Sequence, residues 1–374
     1  MSNSAKTQPI LLAAGGSGGH MFPAFALAEE LARRGWRVDL ATDVRGARFG
    51  ADFPGDEIHT ISSATLKNRS PVTFAKTGFS LAKGIREAFE LIGRIEPAAV
   101  VGFGGYPCFP PLVAAKLRGI STVLHEQNAV LGRANRMLAG RVSAIATSFA
   151  DVEYLDEAAS KKARLTGNPV RDVVIQYAAV PYEAPPPIGE PGHFRLLVFG
   201  GSQGTRFFSE RIPNALASLD EATRARLHIA QQCREEDIDA VRATYAAAGI
   251  EAMCETFFPD LPRFISEAHL VIGRAGATSV AELTVIGRPS ILVPLPHSLD
   301  NDQLANAKNV SDAGGAICIA QEDLTADRLR DDLTTIMSTP EILVEAAANA
   351  KSIGRPDAVV NLADLTEKMA NAPR

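Results

Sequence analysis

Long apolar stretches are missing from this chain of 374 residues. No segment approaches the ~20 consecutive apolar residues that a membrane-crossing helix needs. The first nine residues are polar, and the run Ile10-Leu11-Leu12-Ala13-Ala14 stops at glycine without a cleavage-site pattern. That run is expected to be a strand and not a signal peptide, which implies a cytosolic chain that can still touch a membrane. Cysteine is scarce as well. Cys108, Cys233, Cys254 and Cys318 lack metal or redox spacing and read as buried thiols of a reducing compartment. A dinucleotide fingerprint is also lacking. With Gly16 and Gly18 as its first two glycines, Gly-x-Gly-x-x-Gly would need glycine where Met21 stands.

What is present is ordinary globular composition, 46% hydrophobic and 22% charged, in a length that fits two domains. The net charge of −5 hides an asymmetry. Residues 1–170 carry an excess of basic groups and the remainder an excess of acidic ones, so the first half is the better match for an anionic surface or acceptor. Lys67, Arg69, Lys76, Lys83, Arg86 and Arg94 concentrate there, interleaved with Leu66, Val72, Phe74, Phe79, Leu81 and Ile85. The pattern predicts an amphipathic helix packed on its own sheet with a solvated basic face. A peripheral contact with anionic headgroups is the sharper alternative.

Two glycine-rich turns, Gly15–His20 and Gly200–Thr205, each close an apolar run and open a helical pattern. Glycine lets N–H groups converge on an anion, and the helix start adds its positive dipole end. Strand-like runs at 36–41, 98–103, 121–125, 195–199, 227–230, 270–272 and 290–293 alternate with helical patterns, which implies parallel sheets. A proline-rich stretch with Pro181, Pro185, Pro186, Pro187 and Pro191 reads as the linker between halves, and a last helix is expected from about 357 to 370. The predicted fold is two doubly wound α/β domains facing across a cleft, with ligands at the carboxyl ends of the strands.

Several motifs fall at such ends. His20 heads a helix whose dipole opposes a charged imidazole, so it suits a general base for an alcohol. Gly102-Phe103-Gly104-Gly105-Tyr106 is a third glycine cluster. His125-Glu126-Gln127-Asn128 offers donors, acceptors and a carboxylate for hydroxyls or phosphate, four polar side chains that cannot all be core. Arg171 closes Thr166–Arg171, which suits a phosphate contact or, equally well, a simple turn. In Gly273–Glu282 a glycine loop opens a helix, and Glu282 lies about one and a half turns in, where a carboxylate reaches ribose hydroxyls. Asp300-Asn301-Asp302 has Asp-x-Asp spacing but opens an amide-rich helix with Gln303, where capping explains the acids equally well.

Taken in order, Gly15–His20 with Phe22-Pro23, Gly102–Tyr106, His125–Asn128, Thr166–Arg171, Gly200–Gly204, Arg274–Glu282 and Gln303–Ala307 resemble the MurG family of N-acetylglucosaminyltransferases. The resemblance runs from about residue 10 to the terminal helix. It implies a GT-B fold of two Rossmann-like domains. Residues 1–170, joined by the C-terminal helix at about 355–374, would form the acceptor and membrane-side domain, and 171–354 the donor domain. The implied reaction is inverting transfer from UDP-N-acetylglucosamine to the C4 hydroxyl of lipid I, the muramoyl-pentapeptide on undecaprenyl diphosphate. That would serve peptidoglycan synthesis at the anionic cytoplasmic membrane face, and with it cell shape and division.

The resemblance further implies His20 and Glu126 as catalytic groups, with Tyr106 and Asn128 on the acceptor side. Donor contacts would come from Ser17, Gly18, Gly19, Asn128, Arg171, Ser202, Gln203, Gly204, Ala277 and Thr278. Glu282 would hold the ribose, the backbone near Phe258 the uracil, and Gln303 the sugar. No cofactor, no metal in the chemical step and no nucleic-acid partner are implied. Gln231-Gln232 departs from a common His-Gln pair, and Asp302 stands where relatives carry histidine or glutamine. The rival readings are a UDP-N-acetylglucosamine epimerase, another UDP-sugar transferase of the same fold, and a non-catalytic nucleotide-sugar binder.

Overall fold

A computed structural model describes residues 8–15, 18–47, 53–63, 71–187, 190–201 and 204–373, with side chains of 71–77 outside the description. Ser17, Ser202, Gln203, Lys67, Arg69 and the side chain of Lys76 therefore lie outside the described residues. The chain forms two compact units, Met1–Arg171 with Arg355–Arg374, and Asp172–Gly354.

The first unit holds a parallel sheet of seven strands: β1 (Ile10–Ala13), β2 (Val38–Thr42), β3 (Glu57–Thr60), β4 (Ala99–Gly102), β5 (Ser121–Glu126), β6 (Ala144–Thr147) and β7 (Ala163–Leu165). Their spatial order is β3-β2-β1-β4-β5-β6-β7. The second unit holds β8 (Phe194–Phe199), β9 (Leu227–Gln232), β10 (Glu251–Glu255), β11 (Leu270–Gly273), β12 (Ser290–Leu292) and β13 (Ala316–Cys318), in the order β10-β9-β8-β11-β12-β13. Strand order thus reverses direction between β1 and β4 in one sheet and between β8 and β11 in the other. Open parallel sheets bind ligands at such switch points.

Continuous apolar runs form the central strands because helices cover both faces. Alternate residues of β1 part company: Ile10 and Leu12 join a core with Leu27 and Leu362, while Leu11 and Ala13 pack with Leu91 and Leu112. The final helix, Ala358–Ala370, belongs to the first of these cores. Leu362 is fully buried there, a burial that stabilises by ~2 kcal/mol. Arg34 pairs with Asp364 and Glu367 at 2.6 and 2.7 Å, and Trp36 Nε1 donates to Glu367 at 2.7 Å.

The proline-rich stretch is not a free linker. Tyr182 donates its hydroxyl to the His269 carbonyl at 2.9 Å, and the Pro181 and Pro186 carbonyls accept from Arg288 and Arg226, all within the second unit. Extended proline backbone keeps its carbonyls available, so arginines bind it to the unit's surface. Among the cysteines, Cys108, Cys233 and Cys254 are buried and Cys318 is partly so, all as free thiols.

Candidate active site

Both switch points carry the glycine loops. In the first unit the loop after β1 leads into the helix Gly18–Arg33, with His20 in its first turn. The loop after β4 contains Gly104 (φ 85°) and Gly105 (φ 71°), conformations that favour glycine. A Cβ on Gly104 would stand 3.3 Å from His20 Cε1, and one on Gly105 would stand 3.4 Å from His20 Nε2. The two glycines therefore make the space in which the imidazole lies. Tyr106 follows directly, partly exposed, in a short 3-10 turn with Pro107 and Cys108.

His125, Glu126 and Gln127 are turned into the fold, where the sequence suggested a polar run offering its groups outward. They are 0, 1 and 2% exposed; only Asn128 is half-buried. Their polar atoms are used inside the fold. His125 Nε2 lies 3.1 Å from the Gly167 carbonyl, and Gln127 Nε2 donates to the Phe103 carbonyl at 2.8 Å. Burial pushes the His125 imidazole down to about 4. The Glu126 carboxylate accepts from Asn128 N (3.0 Å), Asn128 Nδ2 (3.3 Å), Gly132 N (2.8 Å) and Asn135 Nδ2 (2.7 Å). Burial outweighs these bonds and raises its pKa above the usual carboxylate range. With both oxygens engaged, Glu126 braces the 126–135 loop and does not stand open as a base. Asn135, which sequence reasoning missed, is part of that brace. Gly104 touches it too, since a Cβ there would be 3.2 Å from Asn135 Nδ2.

Arg171 ends the first unit with its guanidinium 5.5 Å over the ring of Phe22, which lies two residues after His20 in the same helix. The segment 166–171 thus joins the strand ends of β6 and β5 to the head of the Gly18–Arg33 helix.

In the second unit the loop after β8 carries Gly201 (φ 89°) and Gly204 (φ 65°) and opens the helix Arg206–Ala217. Gln232 braces it: its Oε1 accepts from Gly200 N at 3.2 Å and its Nε2 donates to the Thr256 carbonyl at 3.3 Å. Gln231, by contrast, is fully buried, with its Oε1 accepting from the Tyr245 hydroxyl. The departure at this pair therefore falls in the core.

After β11, Gly276 caps the helix Ala277–Ile286, whose first turn bears Ala277 and Thr278. Thr278 Oγ1 is buried without a hydrogen-bond partner among the described residues. Glu282 lies further along the same helix, 4% exposed. Arg274, only 6% exposed, donates to the Val293 and Pro294 carbonyls at 3.0 and 3.1 Å and to Gln321 Oε1 at 2.6 Å. Burial pushes its pKa down to about 10. Asn306 Nδ2 donates to the Ala275 carbonyl at 3.0 Å. These internal braces carry no periodic signal and were not singled out from the sequence as fixing the loop. Gln303 Oε1 accepts from Leu295 N at 3.0 Å. His297, Asp300 and Asn301 before it take left-handed φ of 57°, 57° and 58°, a concentration of strain typical of functional segments. Phe258, after β10, is 5% exposed and packs on Phe264 at 4.6 Å.

Among the described residues, one trio could place three metal-ligand atoms within 4.8 Å: Asp39, Glu57 and His59. It lies on β2 and β3 away from the glycine loops, and Arg37 already clasps Asp39 at 3.1 and 3.2 Å.

Comparison with known proteins agrees across the chain. Residues 10–147 match the glycosyltransferase family 28 N-terminal domain and residues 195–362 its C-terminal domain. A Chelativorans sp. (strain BNC1) protein is 53% identical over 97% of this chain and 95% of its own length. It is named UDP-N-acetylglucosamine–N-acetylmuramyl-(pentapeptide) pyrophosphoryl-undecaprenol N-acetylglucosamine transferase. A protein of the same name from Brucella abortus (strain S19) is 52% identical, covering 99% of this chain and 97% of its own. The crystal structure of Acinetobacter baumannii MurG superposes with a TM-score of 0.79 at 29% identity, covering 96% of this chain and 99% of that one. A UDP-GlcNAc 2-epimerase from Neisseria meningitidis shares the fold at TM-score 0.68 and 12% identity, covering 96% and 100%.

Proposed function

The chain belongs to the family 28 glycosyltransferases with the GT-B fold, among the MurG N-acetylglucosaminyltransferases, and from this premise we propose how its two units divide the reaction. The donor is UDP-N-acetylglucosamine and the acceptor is lipid I. The C4 hydroxyl of the muramoyl sugar attacks the anomeric carbon with inversion, the bond to the diphosphate oxygen breaks, and UDP leaves. His20 Nε2 takes the hydroxyl proton. The observation that carries this reading is His20 seated in the space made by Gly104 and Gly105, at the switch point of the first sheet.

The departing diphosphate is held by main-chain N–H groups of 200–204 and of the helix start at Ala277, with Thr278 Oγ1 as a side-chain donor. Its buried hydroxyl lacks a partner among the described residues, which suits a phosphate oxygen. Ser17, Gly18, Gly19, Asn128 and Arg171 meet the donor from the first unit, and Ser202, Gln203 and Gly204 from the second. Glu282 holds the ribose, the backbone at Phe258 the uracil, and Gln303 Nε2, left free by its amide oxygen's bond, a sugar hydroxyl. Tyr106 and Asn128 line the acceptor side. No divalent cation enters the chemical step.

The acceptor's lipid places this chemistry at an anionic membrane surface on the cytoplasmic side. No helix among the described residues is long and apolar enough to cross a membrane. The helices Pro71–Ile95 and Arg133–Ala139 of the first unit both pack on Phe109–Leu117, and this group instead exposes Phe79, Phe89, Leu117 and Met137 along with Lys83, Arg86 and Arg118. Apolar side chains among cations fit headgroup insertion. Co-sedimentation with anionic but not zwitterionic vesicles, lost in Phe79→Glu, is the expected result.

The decisive experiment offers radiolabelled UDP-N-acetylglucosamine with a lipid I analogue or with free muramic acid derivatives, with and without excess chelator. Label should appear on the lipid acceptor alone, unaffected by chelator. Lack of transfer overturns the reading; collapse restored only by added metal overturns the metal-free step. Since an epimerase shares the fold, donor incubated alone should return with its sugar unchanged.

A further inference from the structure

Thr166–Arg171 contains a residue that none of these assignments uses. Thr166 N and Gly167 N both donate to the Thr147 carbonyl, at 3.0 and 3.1 Å, so the chain turns over the end of β6. The Gly167 carbonyl then meets His125 Nε2 at the end of β5, and Arg171 reaches Phe22 in the helix that carries His20. Asn168 sits between these anchors. Gly167 takes φ 89° before it, and Pro169 after it restricts its own backbone to extended conformations. The side chain is therefore held in place from both ends.

Asn168 is 5% exposed, and neither its Nδ2 nor its Oδ1 has a hydrogen-bond partner among the described residues. Other buried carboxamides differ. Gln127, Asn135 and Gln231 each leave one atom unpartnered but bond through the other. Burying an amide with both ends unsatisfied is costly, and a fold retains such a group where something outside the chain satisfies it. The chemistry of that partner is restricted. A phosphate oxygen only accepts, so it would serve Nδ2 and repel Oδ1. Hydroxyls both donate and accept, and neighbouring sugar hydroxyls satisfy both ends of one carboxamide.

We propose that Asn168 is an acceptor-binding residue, its carboxamide taking hydroxyl groups of the acceptor's sugar ring on the same wall as His20. The inference rests on the transfer reaction proposed above. Its test is Asn168→Leu, which removes the orphaned amide at nearly constant volume, with Asn168→Ala as a second variant. The melting temperature of the substrate-free protein should hold or rise. The KM for the lipid I analogue should rise at least about tenfold, the loss of two neutral hydrogen bonds, while the donor KM stays within about twofold. A merely structural amide gives the opposite pattern, a lower melting temperature with an unchanged acceptor KM, and that result overturns the inference. So do a rise confined to the donor KM, no change in either KM, and failure of both variants to fold. Wild-type protein that transfers no sugar sinks the reaction itself; normal wild-type transfer with an unaltered Asn168→Leu sinks only the role of this residue.

Discussion

The two units share one strand order up to the sixth strand yet equip their switch points differently. In the first, the glycines clear space for a side chain, and the neighbouring polar groups of His125, Glu126 and Asn135 are spent holding the loops around it. In the second, Gly201 and Gly204 take left-handed φ, and Gln232, Arg274 and Asn306 hold the loops from behind. On the proposed reading, one scaffold acts through an imidazole and the other through N–H groups. Side-chain chemistry is deleted by one substitution. Backbone binding is not, and yields only to changes in loop shape.

The largest test of that contrast is His20→Ala. It should lower kcat by roughly 10²–10⁴-fold with the donor KM nearly unchanged, as read by steady-state transfer kinetics. A loss confined to donor binding would erase the distinction between the units.

Acid should act on both. Burial pushes His125 in the first unit and His269 in the second down to about 4. Each is neutral when folded and takes up a proton when unfolded below the ordinary histidine value of about 6.5. Stability is thus fully present above that value and is lost as pH falls towards 4, at about 1.4 kcal/mol per pH unit for each histidine. Denaturant melts between pH 7 and 4.5 measure it, and His125→Gln or His269→Gln should each flatten one share of the slope.

Glycine substitutions sharpen the comparison further. Gly104→Ala combines left-handed strain, ~1–2 kcal/mol, with a Cβ 3.3 Å from the His20 ring, so both stability and kcat should fall. Gly201→Ala carries the same strain, with no described residue within 4 Å of its Cβ, so kcat per bound donor should hold. The smallest effect is expected from Thr278→Val. Losing one hydroxyl contact should raise the donor KM roughly fivefold and leave the melting temperature unchanged or higher. A fall in melting temperature would mean that the hydroxyl serves the fold.

How much of this was legible depended on where a strand lies in its sheet. Central strands such as β1, β4, β5, β8 and β11 are buried on both faces and stand out as apolar runs. The edge strands β3, β7 and β10 went unread because each has one open side: Glu57, His59, Arg164, Glu251 and Glu255 break the apolar pattern. β6 and β13 were missed for another reason, being only Ala-Ile-Ala-Thr and Ala-Ile-Cys, too short to register. Glycine loops were legible because their geometry demands the residue type. The braces were not, since a buried Asn135 or Arg274 looks in sequence like any polar residue of a loop. The same ambiguity led His125–Gln127 to be read as facing outward.

The last helix has a consequence for how the molecule is born. Its leucine completes a core whose other members come from the opening stretch of the chain, with the whole second unit made in between. On the ribosome the portion synthesised first must wait, on the order of ten seconds or more, for the portion synthesised last. Through that interval the seat of Leu362 and Ala363 is an uncovered greasy strip, a natural handle for a nascent-chain chaperone and the surface on which premature termination products would stick together.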